Sequence, residues 1–162
     1  MSVADFGAGS GAYTLSMAEV LEGSGYVYAI DVQRDLLRRI HNEAHKRGYK
    51  HVQILWADLE KKGASKLADR SLDFVLISNL LFQLPDKSAP LLEAWRVLRP
   101  RGRLGVIDWS ESFGGMGPIK QNVVSKEKAL ELAKHAGFEL QREFQAGAHH
   151  YGLILRPVPI AV

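Results

Sequence analysis

The chain has 162 residues, of which 46% are hydrophobic and 24% are charged, and its formal net charge is +3. This length predicts a single domain over residues 1–162, and the composition is that of an ordinary globular protein. The sequence contains no cysteine, which excludes from it a disulfide framework, a thiolate zinc site and a cysteine nucleophile. No apolar run reaches the roughly 18 residues of a membrane span, and Met1 leads into no signal sequence, so we expect a cytoplasmic location.

Segments with the patterns of strands and helices alternate along the chain. β-Branched and aromatic runs predict strands over residues 2–6, 26–30, 52–56, 72–77, 102–109, 139–145 and 150–156. Apolar residues at helical spacing predict helices over residues 13–21, 33–47, 88–98 and 127–135. This order predicts a three-layer α/β fold in which a helix separates each strand from the next, except in the last pair. The link over residues 146–148 is too short for a parallel crossover, so the last two strands should pair antiparallel.

A glycine-rich loop follows the first strand directly and precedes the first helix. Gly7, Gly9 and Gly11 alternate there, in the sequence VADFGAGSG. Glycine permits positive φ and a backbone approach that a Cβ would block, and the helix that follows presents free N–H groups. The loop therefore suits an anionic or dipolar ligand, although a glycine turn without any ligand is an equally open interpretation of this motif alone.

Two acidic residues extend this pattern to the next two strands. Asp31 ends the second strand, about 20 residues after the glycine loop, where nucleotide-binding α/β folds place the carboxylate that binds ribose hydroxyls. Asp58 follows the third strand, where an acid can accept a hydrogen bond from an adenine amino group. Because the carboxyl ends of parallel strands meet at one edge, the loop and both acids should line one crevice.

Five segments in a fixed order resemble the class I methyltransferases, most closely the branch of ubiquinone/menaquinone-biosynthesis-type enzymes. They are VADFGAGSG, AIDV, WADLE, LDFVLISNLLFQLPD and EAWRVLRPRGRLGVIDW, and they extend over nearly the whole chain. The resemblance implies a Rossmann-like fold whose seven-stranded, mostly parallel sheet ends in an antiparallel hairpin. It also implies S-adenosylmethionine as the cofactor and S-adenosylhomocysteine as the product.

The resemblance further implies a cofactor-binding role for residues after each of the first four strands. Those after the first strand would surround the methionine part, with Asp5 near its ammonium group. Those after the second and third strands would hold the ribose and the adenine. Those after the fourth strand would lie nearest the sulfonium and the acceptor. The implied set is Asp5, Gly7, Ala8, Gly9, Gly11, Asp31, Val32, Ala57, Asp58, Leu59, Ser78, Asn79 and Leu80.

Two departures from the family pattern concern the active site. Family members usually carry helices before the first strand that cover the cofactor, whereas Met1 lies almost at the strand here. The usual Pro-Gly-Gly before the fifth strand reads Pro100-Arg101-Gly102, which adds a positive charge. We therefore expect either a fragment or a minimal methyltransferase domain with an open site.

Methyl transfer from a sulfonium requires mainly that the acceptor be positioned and water excluded, with a general base only where the acceptor must lose a proton. Candidate catalytic residues are Asn79, Asp108 and Tyr13. Strand-end capping is an equally good interpretation of Asn79 and Asp108. His149 and His150 are adjacent on a strand and should face opposite sides, so we expect no metal site there.

Two classes of acceptor fit the sequence. The absence of cysteine argues against C5 methylation of pyrimidines, and the fourth strand ends without the motif of amino-directed nucleic-acid enzymes. Family position favours a small molecule. The open site and a cationic helix face favour RNA, which we predict as the acceptor; the candidate RNA-binding residues on that face are Arg34, Arg38, His41 and His45. The glycine-rich segment over residues 110–125 has the composition of a mobile acceptor flap.

Two rival functions share part of this pattern. An NAD-dependent oxidoreductase would share the glycine loop and Asp31, but Asp58 and the terminal hairpin favour the methyltransferase. A cofactor-binding module without catalysis, or a subunit completed by a partner, is the other alternative. In that case a second copy of the chain would cover the open crevice, as a homodimer.

Overall fold

The structure is a computed structural model that describes residues 1–159, so the last three residues of the predicted single domain lie outside the described part. The strands and helices follow one another in the predicted order. Their bounds are β1 Ser2–Phe6, α1 Ala12–Leu21, β2 Tyr26–Asp31, α2 Arg34–Lys46, β3 Val52–Trp56, β4 Leu72–Ser78, α3 Ser88–Val97, β5 Leu98–Trp109, α4 Lys126–His135, β6 Phe138–Gln145 and β7 His150–Pro157.

The strands form one seven-stranded sheet in the order β3-β2-β1-β4-β5-β7-β6. The first five strands pair parallel, whereas β7 runs antiparallel to both β5 and β6. This confirms the predicted three-layer fold and its reversed terminal hairpin. Strand order reverses at β1, so the ends of β1, β2 and β4 border the crevice where α/β folds bind ligands.

Each face of the sheet carries its own apolar core. The larger core includes Phe6, Ile77 and Leu104 from the sheet together with buried side chains of α3 and α4. The smaller core includes Val27 and Ala29 and lies under α1 and α2. Both cores follow from strands whose side chains are apolar on both faces, as expected for a parallel sheet covered by helices.

The connection from β3 to β4 differs from the prediction. We expected a helix between them, but residues 57–71 form turns instead, with positive φ at Gly63, Lys66 and Arg70. Each left-handed residue interrupts the helical hydrogen-bond pattern. The segment is held to α3 by the buried Glu93, which accepts a hydrogen bond from the Ser65 hydroxyl at 2.5 Å.

The start of β5 also differs from the prediction. The strand begins at Leu98 rather than residue 102, and its pairing with β4 shifts register between Leu72 and Phe74. Pro100 lies within this irregular part of the strand. Proline lacks an N–H donor and is tolerated in a strand where the regular hydrogen-bond pattern is interrupted. None of the helices in residues 1–159 is long and apolar enough to cross a membrane.

Candidate cofactor and acceptor site

The glycine loop between β1 and α1 is packed closely on both sides. Gly7 has φ +76°, and a Cβ there would lie 2.9 Å from Leu80 Cδ1. Gly11 has φ +86°, and a Cβ there would lie 2.5 Å from Ile40 Cγ1. A larger residue at either position would therefore have to displace its neighbour as well as adopt a strained backbone. Because Gly11 precedes α1 and offers no side-chain cap, the first amides of that helix stay available to a ligand.

Asp31 ends β2 and joins the loop to the start of α2. Its Oδ2 accepts a hydrogen bond from the Gly9 amide at 2.9 Å, and its Oδ1 accepts one from the Gln33 amide at 2.9 Å. A carboxylate has about four acceptor positions, so these two bonds orient the group without using all its capacity. Asp31 is therefore a fixed acceptor at the edge of the crevice.

A cavity of about 290 Å³ lies at the carboxyl ends of β1, β2 and β3. Most of the predicted cofactor-binding residues line it. These are Gly7, Gly9, Asp31, Val32, Ala57, Asp58, Leu59 and Leu80. The Asp58 carboxylate accepts the Glu60 amide at 3.0 Å, which fixes the turn after β3. The structure therefore gathers residues from four separate segments of the chain into one cavity.

Five lining residues were not predicted from the sequence. Gln33 and Leu36 come from the start of α2, Glu60 from the turn after β3, and Gln83 and Leu84 from the turn after β4. Glu60, Gln83 and Leu84 stand inside the segments WADLE and LDFVLISNLLFQLPD, and Leu36 belongs to the repeat of the predicted helix. These patterns marked the segments but did not show which residues face the cavity. The turn after β4 is a short 3₁₀ helix, Leu81–Gln83, which has no periodic pattern.

Other predicted residues lie near this cavity without lining it. Ala8 is buried in the loop, and its amide donates to the Ile30 carbonyl at 3.0 Å. Asp5 is buried beneath the loop and accepts a hydrogen bond from the Thr14 hydroxyl at 2.8 Å, and burial raises the pKa of this carboxyl to about 6. Tyr13 is half exposed in a separate groove, with Met17 and Phe74. Their roles in binding and catalysis stay predictions.

The polar residues at the ends of β4 and β5 differ from Asp5, Asp31 and Asp58 because some of their buried atoms have no hydrogen-bond partner in the described part of the chain. Within residues 1–159, four buried side-chain atoms have no hydrogen-bond partner: Ser78 Oγ, Asn79 Oδ1, Asp108 Oδ2 and His150 Nε2. All four lie at the ends of β4 and β5 or at the start of β7. Unpaired buried polar atoms are rare because each one costs free energy, so a cluster of them indicates a place where a ligand supplies the missing partners.

Asp108 is fully buried and lies against the turn that follows β4. The Trp109 amide donates to its Oδ1 at 2.8 Å. Burial raises the pKa of this carboxyl to about 6, and the backbone amides of Trp109, Phe82 and Leu81 act in the opposite direction. Asp108 thus faces the segment that carries Gln83 and Leu84 into the cavity.

The predicted flap, residues 110–125, folds back on the sheet through aromatic contacts. Phe113 and Met116 form an isolated bridge around two glycines of positive φ. The Phe113 ring stacks on His149 with centroids 3.8 Å apart, and the His149 Nδ1 lies 2.7 Å from Glu111 Oε1. The underside of the flap therefore rests on the start of β7.

The predicted RNA-binding face of α2 is exposed, and part of its charge is already engaged. The Arg34 guanidinium lies 4.2 Å from the centroid of the Trp56 ring, and Arg38 pairs with Asp35 at 3.4 Å. His41 and His45 border a separate cavity of about 150 Å³. In the described part of the chain, no group of three or more histidine or acidic side chains is arranged to hold a metal ion.

Comparisons with known proteins agree with this architecture. Residues 1–152 match the sequence family described as "Methyltransferase domain". A ubiquinone/menaquinone biosynthesis C-methyltransferase of Hahella chejuensis is 33% identical over 111 residues, which cover 68% of this chain and 43% of that protein. An arsenite methyltransferase of Aquipseudomonas alcaligenes is 34% identical over 107 residues, which cover 63% of this chain and 31% of that protein.

A solved structure covers nearly the whole chain. The crystal structure of a SAM-dependent methyltransferase from Aquifex aeolicus superposes with a TM-score of 0.87 and 28% identity, covering 98% of this chain and 82% of that one. The chain spans less than half the length of the curated relatives that it matches. The predicted resemblance, fold and cofactor are confirmed: the chain belongs to the class I, S-adenosylmethionine-dependent methyltransferase family, near the ubiquinone/menaquinone C-methyltransferase branch.

Proposed function

We propose that this chain transfers a methyl group from S-adenosylmethionine to a small molecule. One observation carries the proposal: the edge of the sheet that holds the cavity lined by the glycine loop, Asp31 and Asp58 also carries a cluster of residues, Ser78, Asn79 and His150, whose buried polar atoms lack partners within residues 1–159. The cavity suits a nucleoside cofactor, and the cluster suits a second ligand.

The residues present fit the cofactor. Gly9 lines the cavity, and the nearest neighbouring atom to a Cβ there would be the Gly7 carbonyl oxygen at 4.0 Å, so a ligand can approach the loop backbone at this point. The free amides of α1 suit the carboxylate of the methionine part. Asp31 would hold the ribose hydroxyls, and Val32 and Leu59 would lie beside the adenine. When bound, S-adenosylmethionine supplies a methyl group activated by a positively charged sulfur. The chain's own residues then have to orient the acceptor and keep water away.

Asn79 and Asp108 have different roles in this proposal. Asn79 adopts φ +54° at the end of β4, and its unpaired Oδ1 makes it a candidate to contact the acceptor. Asp108 is too deeply buried for such contact and acts as a positioning residue, because its carboxylate faces the amides of the turn Leu81–Gln83. Asparagine adopts left-handed φ more readily than most residues, so this turn holds the Asn79 side chain in place at little cost.

A small-molecule acceptor fits the relatives better than RNA does. The curated relatives named above are a quinone-pathway C-methyltransferase and an arsenite methyltransferase. Arsenite is a thiophilic substrate, and soft centres of this kind are bound through thiolates, which this sequence lacks because it has no cysteine. An uncharged organic acceptor is therefore the better match for this chain.

RNA is the second candidate, and the exposed face of α2 is the observation in its favour. The Asp35 carboxylate offsets part of the Arg38 charge, the Arg34 guanidinium is held over the Trp56 ring, and the comparisons give RNA no support. If RNA is the acceptor, changing Arg34 and Arg38 to alanine should weaken RNA binding and lower its salt dependence by about two counterions.

The experiment that tests this proposal is transfer of a labelled methyl group from S-adenosylmethionine into a fractionated cell extract, with and without ribonuclease. We expect the label in small organic-soluble products, unchanged by ribonuclease. Label in high-mass material that disappears with ribonuclease would make RNA the acceptor. No transfer, despite S-adenosylhomocysteine binding, would favour the non-catalytic module, and light scattering would then test the predicted homodimer.

A further inference from the structure

Ser78, Trp109 and His150 lie on one face of the sheet, at the edge where the crevice opens. Ser78 pairs with Ile107 in the parallel register, and Trp109 follows Ile107 by two residues, so their side chains share a face. Trp109 pairs with His150 in the antiparallel register. The same face carries Asp5, which is bonded to α1 through Thr14. Asp108, by contrast, points to the opposite face.

The imidazole of His150 is held against an aromatic wall. Its ring centroid lies 4.2 Å from that of Trp109, with the planes inclined by 41°. Its Nε2 is buried, and no atom of residues 1–159 forms a hydrogen bond with it. Burial lowers the pKa of this imidazole, with the neighbouring His149 adding to the effect. His150 is thus a neutral ring with one nitrogen free to bond a polar hydrogen or a lone pair.

The flap covers this part of the sheet. A Cβ at Gly117 would lie 2.5 Å from Trp109 Cε2, so the backbone of the flap lies directly on the indole. The Ser110 amide donates to the His149 carbonyl at 2.8 Å, which fixes the base of the flap. Phe113 and Met116 in the flap stay largely exposed, although both are large and apolar. A second ligand that enters beside the flap, rather than between its Gly117 backbone and the indole, would cover such side chains and reach Nε2.

We propose that His150 and Ser78 form the polar floor of the acceptor subsite, beside the flap, for a planar, uncharged acceptor that binds through a hydroxyl or amino group. This inference rests on the proposed function. The two unpaired atoms are a hydroxyl, which can donate or accept, and an imidazole nitrogen, so they suit a neutral group that carries both a hydrogen and a lone pair. The wall is the Trp109 indole, which suits a flat molecule.

Imidazole NMR signals of the protein bound to S-adenosylhomocysteine test the subsite. The probes are 1-naphthol and 1-methoxynaphthalene, which share a planar ring system but differ in the hydroxyl hydrogen. We expect 1-naphthol to shift the His150 signal and to bind about fivefold more tightly than its methyl ether, as one hydrogen bond would provide. His150→Phe keeps a ring against Trp109 and should remove that preference, while the binding of the methyl ether stays within about twofold.

Two further variants distinguish the loss of a hydrogen bond to the probe from a failure of the protein to fold. Ser78→Ala removes one hydroxyl and should weaken 1-naphthol binding in the same direction, which keeps the test open if His150→Phe fails to fold. His135→Gln is the control, because His135 lies on α4 and its Nδ1 meets the Glu131 carbonyl at 2.8 Å. It should change neither affinity.

Three results would overturn the subsite: equal affinity of the wild-type protein for both probes, an unchanged preference in both His150→Phe and Ser78→Ala, or binding of neither probe. Binding of S-adenosylhomocysteine is measured separately by calorimetry. If it fails, the proposed function fails, but the two probes still test the subsite on the free protein. If it succeeds without discrimination between the probes, only the subsite is wrong.

Discussion

At the carboxyl ends of β1 to β3 the acidic side chains are bonded to the protein itself, whereas at the ends of β4 and β5 and the start of β7 several buried polar atoms meet no partner within residues 1–159. Asp31 represents the first region, with both oxygens bonded to backbone amides. His150 represents the second, with a buried Nε2 left open. A rigid, satisfied surface suits a cofactor that is always the same, and the open groups suit an acceptor that completes them.

The largest effect should come from Asp31→Asn in the satisfied region. The change removes the negative charge that orients the glycine loop and that would accept the ribose hydroxyls. A hydrogen bond to a charged group contributes about 1.5–3 kcal/mol, so we expect S-adenosylhomocysteine to bind about 10- to 100-fold more weakly by calorimetry. Asp69→Asn, at an exposed carboxylate paired with Arg96, is the control and should leave binding unchanged.

A buried carboxyl on the acceptor side should make stability depend on pH. The folded-state pKa of Asp108 is raised to about 6 from 3.8, so folding favours the protonated form, and this contribution to stability is lost as pH rises through 6. Relative to Asp108→Asn, the wild-type protein should lose about 2 kcal/mol of unfolding free energy between pH 4.5 and 7.5.

Urea denaturation of both proteins across that pH range measures the difference. Glu19→Gln, a change at an exposed carboxyl on α1, is the control, and its unfolding free energy should change with pH as that of the wild-type protein does. A wild-type curve parallel to that of Asp108→Asn would mean that the carboxyl is ionised without cost, and that its surroundings are more polar than the structure shows.

Alanine substitutions at two glycines distinguish the effect of backbone strain on stability from the effect of cavity shape on binding. Gly7 and Gly48 have φ +76° and +74°, but only a Cβ at Gly7 would meet a neighbour, at 2.9 Å from Leu80. Both alanine variants should lose about 1 kcal/mol of unfolding free energy through their positive φ, and Gly7→Ala should lose more because its Cβ has to displace Leu80. Gly7→Ala should also weaken S-adenosylhomocysteine binding roughly tenfold, and Gly48→Ala should not. Equal binding by the two variants would show that the loop is not part of the site.

The smallest effect should come from Arg34→Ala. Its guanidinium lies over the half-exposed Trp56, whose indole N–H donates to the Val32 carbonyl at 2.8 Å. An exposed cation–π contact contributes about 0.5–1 kcal/mol, so stability should fall by that amount, while cofactor affinity stays within about twofold. Arg39→Ala, also on α2, is the control. A large loss of binding would place Arg34 inside the cofactor site.

Much of the cofactor region could be predicted because its signals are local. The alternating glycines, the acid ending β2 and the acid after β3 each lie within a few residues of a strand end, and the carboxyl ends of parallel strands meet by topology. It was harder to infer from the sequence which side chains of α1 face the sheet. Thr14 turns inward to bond Asp5, and its neighbour Tyr13 therefore lies in a separate groove.

The acceptor region depends on contacts that no local pattern encodes. From the sequence, His150 was considered only as a metal ligand, and that role was rejected, because its place beside Trp109 follows from an antiparallel register between strands far apart in sequence. The turn after β4 and the helix-free connection over residues 57–71 have no periodic pattern either. Such features are set by tertiary packing, which overrides local propensity.

The most direct test of the account is calorimetric titration of the wild-type protein and Asp31→Asn with S-adenosylhomocysteine and with NAD. We expect the wild-type protein to bind S-adenosylhomocysteine and not NAD, and Asp31→Asn to bind it about 10- to 100-fold more weakly. Equal affinity of the two proteins for S-adenosylhomocysteine, or preferential binding of NAD, would contradict the assignment of this crevice.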